Sequence, residues 1–374
     1  MANQLQTSNV TDPNLVEIAQ QFQSGSPIVR IQQYGSGNIN QTFLVTLKER
    51  SPFILQQLNT TVFRQPELVM HNICVLSDHV NQKIPALELV SPRRWLFPQV
   101  LLTSTGKNCY LGADNSFWRA LSFIDNSQSF DTIQDLHHAQ EIGYGLGMFH
   151  SLVNDLPTKQ LADTLVGFHI TPSYLAHYQQ VLTTTKVKAS PEKKYCQQFI
   201  SDRPDLPYIL ETAKDQGKIK LRIIHGDPKI NNIMLDCTTH QAVAAIDLDT
   251  VKPGLIHYDI GDCLRSGCNP LGEETDRWEQ VTFELEFAQA ILEGYLGVAS
   301  QFLTKCDRQY IYDAIRLLAF ELGLRFFTDY LEGDVYFGAK YPEHNLQRAL
   351  VQFQLTSCIE AQGTALKNMI QEIS

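Results

Sequence analysis

The apolar residues recur mostly at strand period before about residue 130 and mostly at helix period after it, and that shift most limits what the chain can fold into. Before it, PIVRIQQY (27–34), QTFLVTLK (41–48) and PFILQQL (52–58) alternate with a period of two between turn residues, which predicts three short strands. PELVMHNICVLSDHVNQ (66–82) sets Leu68, Val69, Ile73, Leu76 and Val80 at helix spacing. RRWLFPQVL (93–101) and FWRALSFI (117–124) predict two more strands. The polar, turn-rich FIDNSQSFD (123–131) reads as a crossing between lobes. Helix patterns follow over 133–156, 190–216 (interrupted near Pro204 and Pro207), 282–297, 307–331 and 344–371. A β-rich lobe over 1–124 and a larger, mainly helical lobe over 125–374 make an α+β arrangement.

Composition narrows the partners. With 374 residues, 43% of them hydrophobic, the chain can bury a core in each lobe. A net charge of −10 argues against nucleic acid or an anionic membrane as the main partner. No apolar run approaches the ~18 residues that cross a bilayer, and MANQLQTSNVTDP lacks the basic and apolar regions of a signal peptide. The eight cysteines, at 74, 109, 196, 237, 263, 268, 306 and 358, form no CxxC pair and no zinc-type cluster. They are expected to be reduced thiols in a cytoplasmic protein.

The chemistry concentrates in IIHGDPKINNIMLD (223–236), where His225, Asp227, Lys229 and Asn232 sit between two apolar runs. A second run, QAVAAIDLDT (241–250), ends in Asp247 and Asp249. The short link between them predicts a hairpin whose second strand returns Asp247 beside a loop bearing Asp227 and Asn232. A carboxylate and an amide oxygen meeting at one point are hard ligands of the kind Mg²⁺ takes together with phosphate oxygens. Asp227 is then free to accept or orient a hydroxyl proton during attack on a γ-phosphate, with Lys229 as a neutralising cation. His225 is expected to hold the loop by hydrogen bonds. The HxD, four residues, Asn spacing, with a later Asp after a hairpin, is the catalytic arrangement of protein kinases. Taken singly, Gly-Asp-Pro and Asn-Asn are ordinary turn chemistry. The combined spacing carries the reading.

HGDPKINNIMLD, AIDLDTVKPGLIHYDIGDCLRS and LRFFTDYLEGDVYF resemble the aminoglycoside phosphotransferase and choline kinase superfamily, and within it the bacterial N-acetylhexosamine kinases. The resemblance runs from Tyr34 to about Phe353. It implies a bilobal protein-kinase-like fold, ATP and Mg²⁺ as cofactors, and transfer of phosphate to a sugar hydroxyl, in that branch the anomeric one. It implies Asp227 as catalytic base, Asn232 and Asp247 as metal residues, and Asp259 as a buried carboxylate bracing the catalytic loop. Arg325 and Tyr336 would hold the sugar.

In such a fold Gly35, Ser36, Gly37 and Asn38 would cover the phosphates, and the backbone of Phe123 to Asp125 would meet the adenine. A lone GxG also suits a plain hairpin. Two departures stand out. Gln56 occupies the place of the usual phosphate-binding lysine and carries no charge, which leaves Glu67 on the next helix without that partner. Asn38 stands where the sugar kinases commonly have histidine. The alternatives are choline, homoserine or an aminoglycoside as acceptor on the same fold, or a pseudokinase-like binding module, which Gln56 motivates. A monomer or weak dimer is expected, without nucleic-acid or membrane partners.

Overall fold

The computed structural model describes residues 12–23, 25–35, 39–89 and 91–373. Helix α1 (Pro13–Phe22), capped by Asp12 with proline in its first turn, precedes three antiparallel strands, β1 (Ile28–Gln33), β2 (Gln41–Leu47) and β3 (Phe53–Leu58). Helix α2 (Pro66–Lys83) follows, then β4 (Val100–Leu101), β5 (Tyr110–Leu111) and β6 (Phe117–Ser122). Among the described residues the sheet order is β1-β2-β3-β6-β4, with β5 also on β6. Leu15, Ile18 and Phe22 of α1 form one core with Ile31, Val45, Leu55 and Trp118 of the sheet. Val69, Ile73 and Leu76 of α2 join Leu58 and Phe117 in another.

The predicted strand over 93–101 is a correction. Only Val100 and Leu101 pair with β6, because Pro98 lacks a donor and the segment before it bonds elsewhere. Arg93 pairs with Glu141 at 2.6 Å, Arg94 with Asp236 at 2.8 Å, and Leu96 N–H donates to the Val243 carbonyl. The segment therefore runs along the seam between sheet and helices.

In the crossing, β7 (Ser127–Gln128) pairs with residues 235–236 of the hairpin that follows the His225–Asn232 loop. Helix α3 (Leu136–Val153) packs on α8 (Leu285–Ala299) at backbone distance. A Cβ on Gly143 would meet the Ile291 carbonyl at 1.9 Å, and one on Gly294 the Gln140 carbonyl at 2.0 Å. Between them lie α4 (Thr171–Thr184), α5 (Pro191–Ser201), α6 (Ile209–Asp215), and four short strands: β8 (Arg222–Ile224), β9 (Ile233–Asp236), β10 (Ala242–Ala245) and β11 (Lys252–Gly254). Helix α7 (Ile256–Gly267) comes next. The region predicted as one helix over 307–331 is α9 (Lys305–Gln309) and α10 (Ile311–Glu332), and 344–371 is α11 (His344–Ala361) and α12 (Gly363–Glu372). The whole is mixed α+β, a small antiparallel sheet before a larger helical part, as in protein kinases. Among the described residues no helix is long and apolar enough to cross a membrane, and all eight cysteines are unpaired.

Candidate active site

The loop from His225 to Asn232 hangs between strands of two different ribbons. Its entry strand β8 pairs with β11, and its exit strand β9 pairs with β10. Such a loop needs its polar groups satisfied from within, and α7 supplies them. The fully buried Asp259 carboxylate accepts the backbone N–H groups of His225 at 2.6 Å and Gly226 at 2.9 Å, and it meets His150 Nε2 at 2.8 Å. His225 Nε2 lies 2.8 Å from the carbonyl of Ile246, tying the loop to the residue before Asp247. Burial lowers the His225 pKa despite Asp259, so the ring is neutral and Nε2 is the donor. Gly226 has φ +88°, and a Cβ there would lie 2.6 Å from the Thr250 carbonyl.

Asp227 is partly exposed and pairs with Lys229 Nζ at 2.9 Å. Burial pushes its carboxyl up, but the Lys229 ammonium and, further off, the Arg265 guanidinium outweigh that, and the net shift is downward. Lys229 is raised, first by Asp227. The Asn232 amide donates to the Asp227 carbonyl at 2.7 Å, which fixes its plane and leaves the amide oxygen for the cleft. Asp247 follows β10 in a left-handed conformation, φ 61° and ψ 56°, unusual for a residue with a Cβ. Its carboxyl is pushed up to about 7 by desolvation, then by Asp249 and Asp227. Water reaches this side chain, so the direction is the physical content: negative charge is crowded at one point. That crowding fits a cation. Among the described residues no three His, Cys, Asp or Glu side chains form a complete metal cage. A magnesium site completed by phosphate oxygens needs only Asn232 and Asp247 from the chain.

On the nucleotide side, Gly35 has φ +78°, and Ser36, Gly37 and Asn38 lie outside the described residues. At the crossing, the Ile124 carbonyl accepts from Ser127 and the Asp125 carbonyl from Arg94. Phe123, the residue before them, follows directly on β6. Its ring meets Tyr34 edge-on at 6.0 Å. Ile124, Met234, Val243 and Ala244 form a small apolar cluster beneath it, which the sequence reading missed. Glu67 makes no ion pair among the described residues. Its helix α2 instead reaches the site through buried Asn72, which donates to the Val251 carbonyl at 2.9 Å.

Opposite Asp227, the half-buried Arg325 of α10 stands among four rings: Phe168 at 5.2 Å, Tyr174 at 4.9 Å, Tyr336 at 5.8 Å and Phe337 at 5.2 Å. Among the described residues its guanidinium has no hydrogen bond or ion pair. Burial disfavours its charge, but the neighbouring Tyr174, Glu321, Tyr336 and Asp227 more than restore it. The turn carrying Tyr336 is pinned by Asp329, which accepts from the N–H groups of Tyr336 and Phe337. His169, not anticipated from sequence, bridges Glu321 at 2.9 Å and the Gly226 carbonyl at 2.7 Å. It joins helix α10 to the His225–Asn232 loop.

The sequence model of the phosphotransferase enzyme family matches residues 30–299, and the chain belongs to that family. Solved structures similar to it include an aminoglycoside phosphotransferase from Alicyclobacillus acidocaldarius, 14% identical, covering 96% of each chain with a TM-score of 0.63. Another is a microcompartment-associated aminopropanol kinase, 16% identical over 94% of this chain and 98% of that one, TM-score 0.61. A third is an amicoumacin kinase in complex with AMP-PNP, Ca²⁺ and Ami, 14% identical over 91% of this chain and 92% of that one, TM-score 0.60. At these identities the likeness shows the fold. Together with the family it makes this chain a small-molecule kinase, a phosphotransferase acting on a hydroxyl acceptor.

Proposed function

We propose that this kinase transfers the γ-phosphate of ATP to a hydroxyl of a sugar, an N-acetylhexosamine or related hexose, at the anomeric position. The observation that carries the acceptor class is Arg325. A choline-type or aminoglycoside acceptor needs aromatic faces or acids for its positive charge. Here the aromatic faces already hold the protein's own guanidinium. An unpaired arginine beside rings suits a neutral polar ligand with hydroxyl or carbonyl acceptors and an apolar face.

Asp227 accepts a hydrogen bond from the attacking hydroxyl. Its lowered pKa makes it a weak base, which suits a loose transition state in which orientation matters more than early proton removal. Lys229 keeps Asp227 ionised and is placed to offset charge on the transferring group. Asn232 and Asp247 would hold Mg²⁺, which supplies charge neutralisation at the phosphates. Phe123 offers backbone to the adenine, and Gly35 to Asn38 would cover the phosphates. The lobe boundary near residue 124 belongs to this reading, as does a cytoplasmic location with its ATP.

The test is ADP release across a panel of hexoses, N-acetylhexosamines, choline, homoserine and aminoglycosides. A sugar is expected to support turnover. Asp227→Asn should lower kcat about 10²- to 10⁴-fold with AMP-PNP binding kept. Wild-type turnover in purified Asp227→Asn, or activity confined to cationic acceptors, would sink the proposal.

A further inference from the structure

Gln56 leaves the third strand without its cation, but the sheet is not without one. Thr42, Gln56 and Arg119 are direct cross-strand neighbours on β2, β3 and β6. Gln56 donates to Thr42 Oγ1 at 3.0 Å, and its Oε1 accepts from Arg119 Nε at 2.9 Å and Nη2 at 2.7 Å. The remaining nitrogen, Nη1, meets Asp249 Oδ1 at 2.5 Å. The contact is an ion pair without hydrogen-bond geometry, and neither atom has a hydrogen-bond partner among the described residues. Arg119 is 1% exposed and Asp249 2%. Asn40 donates to the other carboxylate oxygen at 2.6 Å.

We propose that Arg119, anchored by Gln56, is a positioning residue that sequesters Asp249 and so decides which carboxylate the metal meets. The inference rests on the reading of Asn232 and Asp247 as the metal residues. Asp249 lies two positions after Asp247, on the same turn, and it is the nearest rival ligand. With its charge engaged by a guanidinium and an amide, Asp249 stays on the sheet side, and Asp247 alone faces the cleft with Asn232. The buried pair is costly to desolvate, and apolar residues of similar size would pack as stably. Its place in the fold therefore points to a task other than stability. Full burial also argues against direct contact between Arg119 and a nucleotide phosphate.

The sign of the effect separates this from a structural role. In Arg119→Met the freed Asp249 adds uncompensated negative charge beside Asp247. Mg²⁺ should then be needed at several-fold lower concentration, while kcat falls at least about tenfold because the ion is misplaced. Asp249→Asn leaves Arg119 unpaired and should raise the Mg²⁺ requirement several-fold. The double variant restores the charge balance, so its Mg²⁺ dependence should return to within about twofold of wild type. Arg119→Lys, which keeps the charge, should stay near wild type in Mg²⁺ dependence. The readouts are Mg²⁺ titration of turnover at saturating ATP and calorimetric Mg²⁺ binding with AMP-PNP. Unfolding midpoints are measured alongside, and if Arg119→Met does not fold, Asp249→Asn and Arg119→Lys carry the comparison. An unchanged Mg²⁺ dependence in folded Arg119→Met, or a double variant that keeps the full shift of either single variant, overturns the inference. A raised KM for ATP alone would do so too, and would mean direct phosphate contact. Wild-type protein that binds no metal with AMP-PNP would overturn the site reading as well, so the two failures are distinct.

Discussion

One side chain and one missing side chain bear on the chemistry proposed at Asp227, and each makes a separate prediction. Arg325→Ala removes the guanidinium proposed to meet the acceptor. A hydrogen bond to a charged group is worth ~1.5–3 kcal/mol, so the KM for the acceptor should rise about 10- to 100-fold, with the KM for ATP unchanged. Equal loss toward both substrates in steady-state kinetics would contradict the assignment. Gly226→Ala places a Cβ 2.6 Å from the Thr250 carbonyl at φ +88°. It should cost about 2 kcal/mol or more in urea unfolding and displace Asp227 with it. The HGD spacing was legible because turn chemistry and catalytic chemistry coincide in neighbouring residues. Arg119 was not, because its meaning lies in a contact with Asp249 130 positions away and no local pattern records that. The signal present in the sequence was a single charge inside the otherwise apolar FWRALS.

Whole elements escape a sequence reading for a different reason. Helix α7 has every residue buried except Ser266, so its polar side, with Asp259, Asp262 and Arg265 at helix spacing, lies inside the protein rather than toward solvent as a surface helix would have it. It nonetheless delivers Asp259 to the catalytic loop. The strand read over 93–101 failed because ion pairs, not a ladder, hold that segment. Helix α10 shows an element acting at a distance. Its Glu321 holds His169, which holds the Gly226 carbonyl. Burial lowers the His169 pKa, but Glu321 and the Gly226 carbonyl outweigh it, and the net shift is upward from 6.5. Glu321 is pushed up by burial and more strongly down by His169 and Arg325, for a net fall below 4.5. Asp262 adds to the His169 shift, and the Tyr258 ring stacks on the imidazole at 5.3 Å. A raised histidine stabilises the fold fully below its ordinary 6.5 and less as pH climbs through its folded value. A lowered glutamate stabilises above 4.5 and less as pH falls through its folded value. The stability advantage of wild type over His169→Gln should therefore be greatest between 4.5 and 6.5 and shrink above that window. Denaturant unfolding at a series of pH values checks this, and a flat difference would refute it.

At the scale of the molecule, Leu58, Phe117 and helix α2 share one apolar core with the helical part, and ionic contacts cross the same boundary, among them Arg93 with Glu141, Arg94 with Asp236 and Arg119 with Asp249. A nucleotide bound between the sheet and the helical part should tie the two together. Mg²⁺ with AMP-PNP at 100-fold its Kd should add about 2.7 kcal/mol of stability and raise Tm by several degrees. EDTA should remove most of that gain, and Asp247→Ala should show little of it. Wild-type stabilisation in Asp247→Ala would exclude Asp247 as a metal residue. The two-part architecture and the acid–amide–acid spacing were legible in the order of periods and motifs. The seam was not, since its contacts join segments far apart in the chain.

The row Thr42, Gln56, Arg119 also limits how this sequence can change over generations. A lysine at 56 would set a second cation against a buried arginine, and loss of Arg119 alone would leave Asp249 unopposed. Moving the charge from one strand to its neighbour passes through a worse protein whichever substitution comes first. Among related chains, then, glutamine with arginine and lysine without it should occur as alternatives inherited together, and the mixed combinations should be rare.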